Sequence, residues 1–183
     1  QLKCWGRNTF GQLGDGTFSG RSTPQSVLGL NATVASIVEG DNHSCAVQES
    51  GTVQCWGLNS SYQLGDNSNL NRSSPVTVNM NGVLVKSVVA GRRHSCALTT
   101  SGAVKCWGNN EFGQLGDGTT NHRTYVVDVS GLNSGVTAIA VGGDSSCALQ
   151  NGNVRCWGNN SSGQLGNGNY QSSSTPVLVS GIS

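Results

Sequence analysis

Cysteine is the residue with the most evident chemistry in this chain. Cys45 and Cys55, Cys96 and Cys106, and Cys147 and Cys156 recur as pairs 10, 10 and 9 residues apart, and Cys4 stands alone. Two such thiols can form a disulfide, stay reduced in a buried site, or supply half of a tetrahedral zinc site. Zinc is the weakest reading, because each pair offers two ligands and the pairs fall in separate units. His43 and His94 precede two of the pairs, with Ser145 in the third place. No thiol or carboxylate cluster joins them at metal-ligand spacing, and a ring that orders a turn by hydrogen bonding accounts for both. Ser, His and Asp are plentiful, but no nucleophile elbow supports a triad. The QLGDG segments lack the helix and terminal lysine of a phosphate loop. Asp15, Asp66 and Asp117 recur in register and suit turn hydrogen bonding. The expectation is a chain with no catalytic residue, no cofactor and no metal, and so not an enzyme.

These residues belong to a repeat. Cys-Trp-Gly begins at residues 4, 55, 106 and 156 and opens KCWGRNTFGQLGDG, QCWGLNSSYQLGDN, KCWGNNEFGQLGDG and RCWGNNSSGQLGNG. A Pro-led or β-branched stretch follows each (STPQSVLGL, SSPVTVNM, RTYVVDV, STPVLVSGI), and then TVASIVEGDNHSCAV, LVKSVVAGRRHSCAL or VTAIAVGGDSSCAL. Short, partly alternating segments rich in Val and Ile read as strands. With 27 glycines and only 10% charged residues, long amphipathic helices are disfavoured. QESG, TTSG and QNG can reverse the chain between the members of each cysteine pair, bringing them opposite one another within disulfide reach. The expected bridges are Cys45–Cys55, Cys96–Cys106 and Cys147–Cys156, formed in an oxidising compartment, with buried reduced thiols as the alternative. Each unit supplies about four antiparallel strands, too few to cover its own faces, so units should stack.

Gly11 and Gly14 recur as Gly113 and Gly116 and as Gly163 and Gly166, where tight turns or close backbone approach would exclude a Cβ. Tyr62 and Asn67 replace glycines of this set in the second repeat, which predicts either a left-handed side-chain residue or an altered bend. Trp5, Trp56, Trp107 and Trp157 share one position and read as packing residues rather than a carbohydrate platform. GxVxCWGxNxxGQLGDG with the Pro-led strand and GxxHSCAL resembles the repeat of the regulator of chromosome condensation family, over essentially the whole chain, in a disulfide-rich form suited to a secreted or bacterial-type member. The resemblance implies an all-β fold, a β-propeller of four-stranded antiparallel blades, part of a seven-bladed whole. It also implies rims that bind proteins. Activities among relatives include nucleotide exchange on a small GTPase, chromatin association and inhibition of a β-lactamase, and the fold alone transfers none of them.

Residues 1–183 are therefore expected to form a partial propeller with incomplete terminal blades, either a piece of a larger one or one completed by a second chain. Cys4 lacks its Ser-Cys partner strand, and the carboxyl end stops after a Pro-led strand. Ten basic and nine acidic residues are scattered along the chain, so neither nucleic acid nor an anionic membrane is an expected partner. No apolar run is long enough to span a bilayer. Arg92-Arg93 is the one basic doublet, read as a solvated loop ahead of an anion or partner contact. NHS, NRS, NSS and NAT match N-glycosylation sequons. The leading functional expectation is a noncatalytic protein-binding or adhesion module, extracellular, at the cell surface or periplasmic, with self-association through open blade edges. A carbohydrate-binding propeller and a nucleotide exchange factor for a small GTPase are the alternatives.

Overall fold

Burial is unbroken along two six-residue strands, β4 (His43–Gln48) and β8 (His94–Thr99), where no alternation between faces remains. A strand buried on both faces needs a sheet on either side of it, and the architecture supplies this. The computed structural model describes residues 1–30 and 32–182, and no helix occurs among them; the NAT sequon begins at Asn31, outside the described residues. The remaining strands are β1 (Lys3–Gly6), β2 (Arg21–Ser26), β3 (Val34–Glu39), β5 (Val53–Gly57), β6 (Arg72–Thr77), β7 (Val85–Ala90), β9 (Val104–Gly108), β10 (Arg123–Asp128), β11 (Val136–Val141), β12 (Ser145–Gln150), β13 (Asn153–Gly158) and β14 (Ser173–Leu178).

They form a two-stranded sheet, β1-β2, and three four-stranded antiparallel sheets, β3-β4-β5-β6, β7-β8-β9-β10 and β11-β12-β13-β14. These are the blades of a β-propeller, called here the first to fourth sheets. Each is a simple meander, with strands paired in chain order; short turns join the second and third strands, and a long loop after Cys-Trp-Gly joins the last two. The Pro-led strand pairs with the Cys-Trp-Gly strand before it, so a sheet starts at the Val-rich strand and ends at the Pro-led one. This phase corrects one expectation. The last sheet has all four strands, ending with β14, and only the first sheet is short.

Strand β4 packs on β7, and β8 on β11, while β3, β7 and β11 meet from sheet to sheet. The first strands therefore line one edge of the stack and β6, β10 and β14 the other. Between the second and third sheets the core holds Cys45, Val47, Val53 and Cys55 against Val85, Val88, Ala97 and Trp107. One sheet further on, Cys96, Leu98, Val104 and Cys106 meet Val136, Ala148 and Trp157. In β12, covered on one side only, the pattern reverts to partial burial.

Candidate functional site

The seams between sheets are built around a backbone carbonyl. The Gln63 carbonyl accepts hydrogen bonds from the Trp107 indole at 2.9 Å and the Ser95 hydroxyl at 3.0 Å. The Gln114 carbonyl accepts from Trp157 at 2.9 Å and Ser146 at 3.0 Å, and the Gln12 carbonyl from Trp56 at 2.8 Å and Ser44 at 3.0 Å. His43 Nε2 lies 2.9 Å from Ser95 Oγ, and His94 Nε2 2.9 Å from Ser146 Oγ. Since each serine hydroxyl donates to glutamine, its lone pair is left for the ring, which assigns the proton to Nε2. Each Nδ1 is buried without a partner. Burial pushes the His43 pKa down to about 4, and burial, reinforced by the neighbouring His43, pushes His94 down to about 3. Both rings are neutral structural links across seams, a role the sequence leaves open between turn ordering and metal binding. Among the described residues no group of three His, Cys, Asp or Glu could hold a metal.

Trp56, Trp107 and Trp157 are fully buried, whereas Trp5 is 61% exposed. This departs from the expectation of one packing role for all four. The three buried indoles each reach a glutamine carbonyl 43 or 44 residues earlier.

The loops after Cys-Trp-Gly are each held by one asparagine. Asn110 donates to Asp117 at 3.1 Å and to the Thr119 and Asn121 carbonyls at 3.0 Å, and its Oδ1 accepts from the Leu115 amide at 2.9 Å. Asn8, Asn59 and Asn160 repeat the Leu amide bond to Leu13, Leu64 and Leu165 at 2.9 Å. Asp15, Asp66 and Asp117 are braced by Arg21, Arg72 and Arg123. Burial alone would raise the Asp15 carboxyl, but hydrogen bonds from Arg21 and Thr17 outweigh it and hold the pKa at about 2. In the fourth repeat both charges are absent together, with Asn167 and Ser173 at the two places. A side chain at Gly14 would meet Trp56 and Val27 at 2.9 Å, and one at Gly116 would meet Trp157 at 2.7 Å. At Gly11 and Gly113 it would meet the next sheet's strand at 2.7 and 2.5 Å; at Gly166 it would meet Val179 at 2.9 Å, and at Gly163 Tyr170 at 3.3 Å. Tyr62 and Asn67 keep the turn by adopting φ of 66° and 60°.

The structure contains the bonds Cys45–Cys55, Cys96–Cys106 and Cys147–Cys156, with Cα separations of 4.1, 4.1 and 4.0 Å. Each joins directly opposed residues of the second and third strands of one sheet, and the short separation is that of a non-hydrogen-bonded antiparallel pair. Cys4 is a buried free thiol. Burial, with help from Glu39, raises its pKa.

Charged loop residues gather at one end of the sheets. Turns 40–42, 91–93 and 142–144 meet the loops after Cys-Trp-Gly there, through Leu58 N–H to Asn42 O at 2.8 Å, Asn109 N–H to Arg93 O at 2.9 Å and Asn159 N–H to Asp144 O at 2.9 Å. Arg7, Asp41, Arg92, Arg93, Glu111 and Asp144 lie on this rim. Among the described residues, the turns and connections at the opposite end carry one charged side chain, Glu49. A cleft of about 290 Å³ opens on the charged rim between the third and fourth sheets.

Comparison with known proteins completes the picture. The model of the regulator of chromosome condensation (RCC1) repeat matches residues 4–47, 50–98, 101–149 and 151–183. The chain belongs to this repeat family. Over 147 residues it is 36% identical to the human E3 ubiquitin-protein ligase HERC2, covering 79% of this chain and 3% of that protein. Over 158 residues it is 35% identical to the mitochondrial RCC1 domain-containing protein RUG3 of Arabidopsis thaliana, covering 81% of this chain and 36% of the relative. Human WBSCR16 superposes with a TM-score of 0.83 at 26% identity, over 93% of this chain and 45% of that one. Saccharomyces cerevisiae Prp20p superposes with a TM-score of 0.83 at 20% identity, over 97% and 45%. The chain thus spans less than half the length of each. These relatives correct the expectation of a chain that is not an enzyme: HERC2 is a named E3 ubiquitin-protein ligase, and the match lies in 3% of its length. No reaction centre within the 183 residues signals this, because the match occupies so little of that protein.

Proposed function

We propose that this chain is a protein-docking propeller module whose charged rim takes the partner, displayed outside the cytosol in an oxidising setting at or beyond the cell surface. The observation that carries the reading is the segregation of charge. Apart from Asp15, Asp66 and Asp117, which are held in the Asp–Arg braces, six charged residues crown one end of a repeated, disulfide-braced frame, and among the described residues one crowns the other. Charged groups on a rigid rim give an interface its register and suppress wrong partners. Prp20p, which has the same fold, is described with binding properties to Gsp1p and histones, so this scaffold is used for protein contacts. The three disulfides support the oxidising setting.

Crosslinked capture from the native source, run beside a variant with Asp41→Lys, Arg92→Glu and Arg93→Glu, tests the rim. The expected result is a partner captured by the parent and lost from the variant. Retention by the variant, with loss on changing Asn79 and Leu84 at the opposite end, would move the docking surface there. Alkylation of the native protein before reduction tests the setting, with one reactive thiol expected after denaturation.

A further inference from the structure

We propose that the cleft between the third and fourth sheets is a carbohydrate site that takes a single neutral pyranose ring. The inference goes beyond protein docking and does not depend on it. The cleft's walls are fixed before any ligand arrives: Asn109 N–H is bonded to Arg93 O, Asn159 N–H to Asp144 O, and Arg92 N–H to Gly143 O, each at 2.9 Å. A pre-formed polar site avoids the ordering cost that weakens small-ligand binding.

Its side chains choose the ligand class. Arg92 and Arg93 are balanced by Glu111 and Asp144, so the site offers no net charge to an ion. It offers donors and acceptors together, which is what a hydroxyl group needs. Asn109 Oδ1 is occupied by Gln114 Nε2 at 2.7 Å, and Asn159 Oδ1 by Gln164 Nε2 at 3.2 Å. Neither Nδ2 donates to a partner among the described residues, so each amide keeps a donor to offer. Among the described residues neither Arg93 nor Glu111 makes an ion pair, and Arg92 reaches Asp144 only at 3.8 Å. Half-buried Phe112 lines the same cleft and provides the apolar face against which the C–H side of a sugar ring can lie. A volume of about 290 Å³ admits one ring and little more. In the second repeat Leu58, Ser60 and Ser61 stand at the places of Asn109, Glu111 and Phe112, an internal control that lacks the amide, the carboxylate and the aromatic.

The test is saturation-transfer and ¹⁵N-correlation NMR on the full chain with five neutral sugars, the methyl pyranosides of glucose, galactose, mannose, N-acetylglucosamine and fucose, run beside glucuronate. The expected result is saturable binding of at least one, with a Kd on the order of millimolar and shifts in the Asn109 and Asn159 side-chain amides. Affinity should be unchanged between about 0.05 and 0.5 M salt. Phe112→Ala and Arg93→Ala should each weaken binding roughly fivefold, and Ser61→Ala should not. Arg93 is exposed, so its variant keeps the test alive should Phe112→Ala fold poorly. Absence of saturation with all five sugars would overturn the proposal, as would binding that survives both substitutions. Binding confined to an acidic sugar such as glucuronate, and abolished by salt, would do the same.

Discussion

The seam joining the second and third sheets and the one joining the third and fourth use the same parts, His–Ser, Ser–Gln and Trp–Gln, with distances that agree within 0.1 Å. One difference lies beside the shared carbonyl. Gln114 Nε2 donates to Asn109, whereas Gln63 Nε2 is buried with no partner because Leu58 stands where Asn109 does. The backbone carbonyl that receives tryptophan and serine, and the glutamine Oε1 that accepts the amide two residues earlier, are the invariant elements, and the bond from Nε2 is the accessory. The frame tolerates a missing accessory in one seam without moving the other bonds.

The largest effect that could break this equivalence comes from the indoles. Trp107→Ala and Trp157→Ala should each cost about 3–5 kcal/mol in urea unfolding, and Trp5→Ala less than about 1 kcal/mol at its exposed position. A loss in one seam less than half that in the other would end the idea of equal seams. Acid should weaken both seams next. The buried rings have pKa values of about 4 and about 3, below the usual 6.5. Between those limits the unfolded chain binds more protons than the folded one, so stability falls as pH drops from 6.5, reaching its full loss near pH 4 for His43 and pH 3 for His94. Each ring should contribute up to about 1.4 kcal/mol per pH unit. His43→Ser and His94→Ser should each flatten the slope measured by denaturation across that range; an unchanged slope would remove the rings from the seam.

The accessory side chain comes third. Leu58→Asn should add about 1 kcal/mol by giving Gln63 its acceptor, and Asn109→Leu should cost about 1–3 kcal/mol by orphaning Gln114. Opposite signs in a thermal melt sharpen the contrast, and equal signs would locate the difference elsewhere. Arg92→Ala should change stability by no more than about 0.5 kcal/mol, since its ion pair is long and more than half exposed on the arginine side. A larger loss would make the rim part of the seam.

Much of this frame can be read from the residues. The Cys-Trp-Gly period and the Val-rich segments lead to four-stranded sheets, and the cysteine spacing leads to directly opposed strand positions. The phase of the sheets was harder, because a repeat motif marks its most constrained segment and not the edge of a structural unit. The seam glutamines and serines sit inside the quoted motifs, yet their task depends on a neighbour one sheet away. The Asp–Arg brace left a usable signal. Asp15 and Arg21, Asp66 and Arg72, and Asp117 and Arg123 share one spacing, and both charges vanish together at Asn167 and Ser173. A buried carboxylate without its guanidinium would be costly, so the two change as a unit. The rim cleft was invisible for the opposite reason: its residues vary between repeats and converge only when two sheets lie side by side.

The three disulfides each stay within one sheet, at sequence separations of 10, 10 and 9 residues, and none ties a sheet to its neighbour. Under tension applied at the two ends, the blades can peel from one another in turn while each hairpin stays clasped. The chain would lengthen stepwise, and the residues enclosed by each bridge would add nothing to its length.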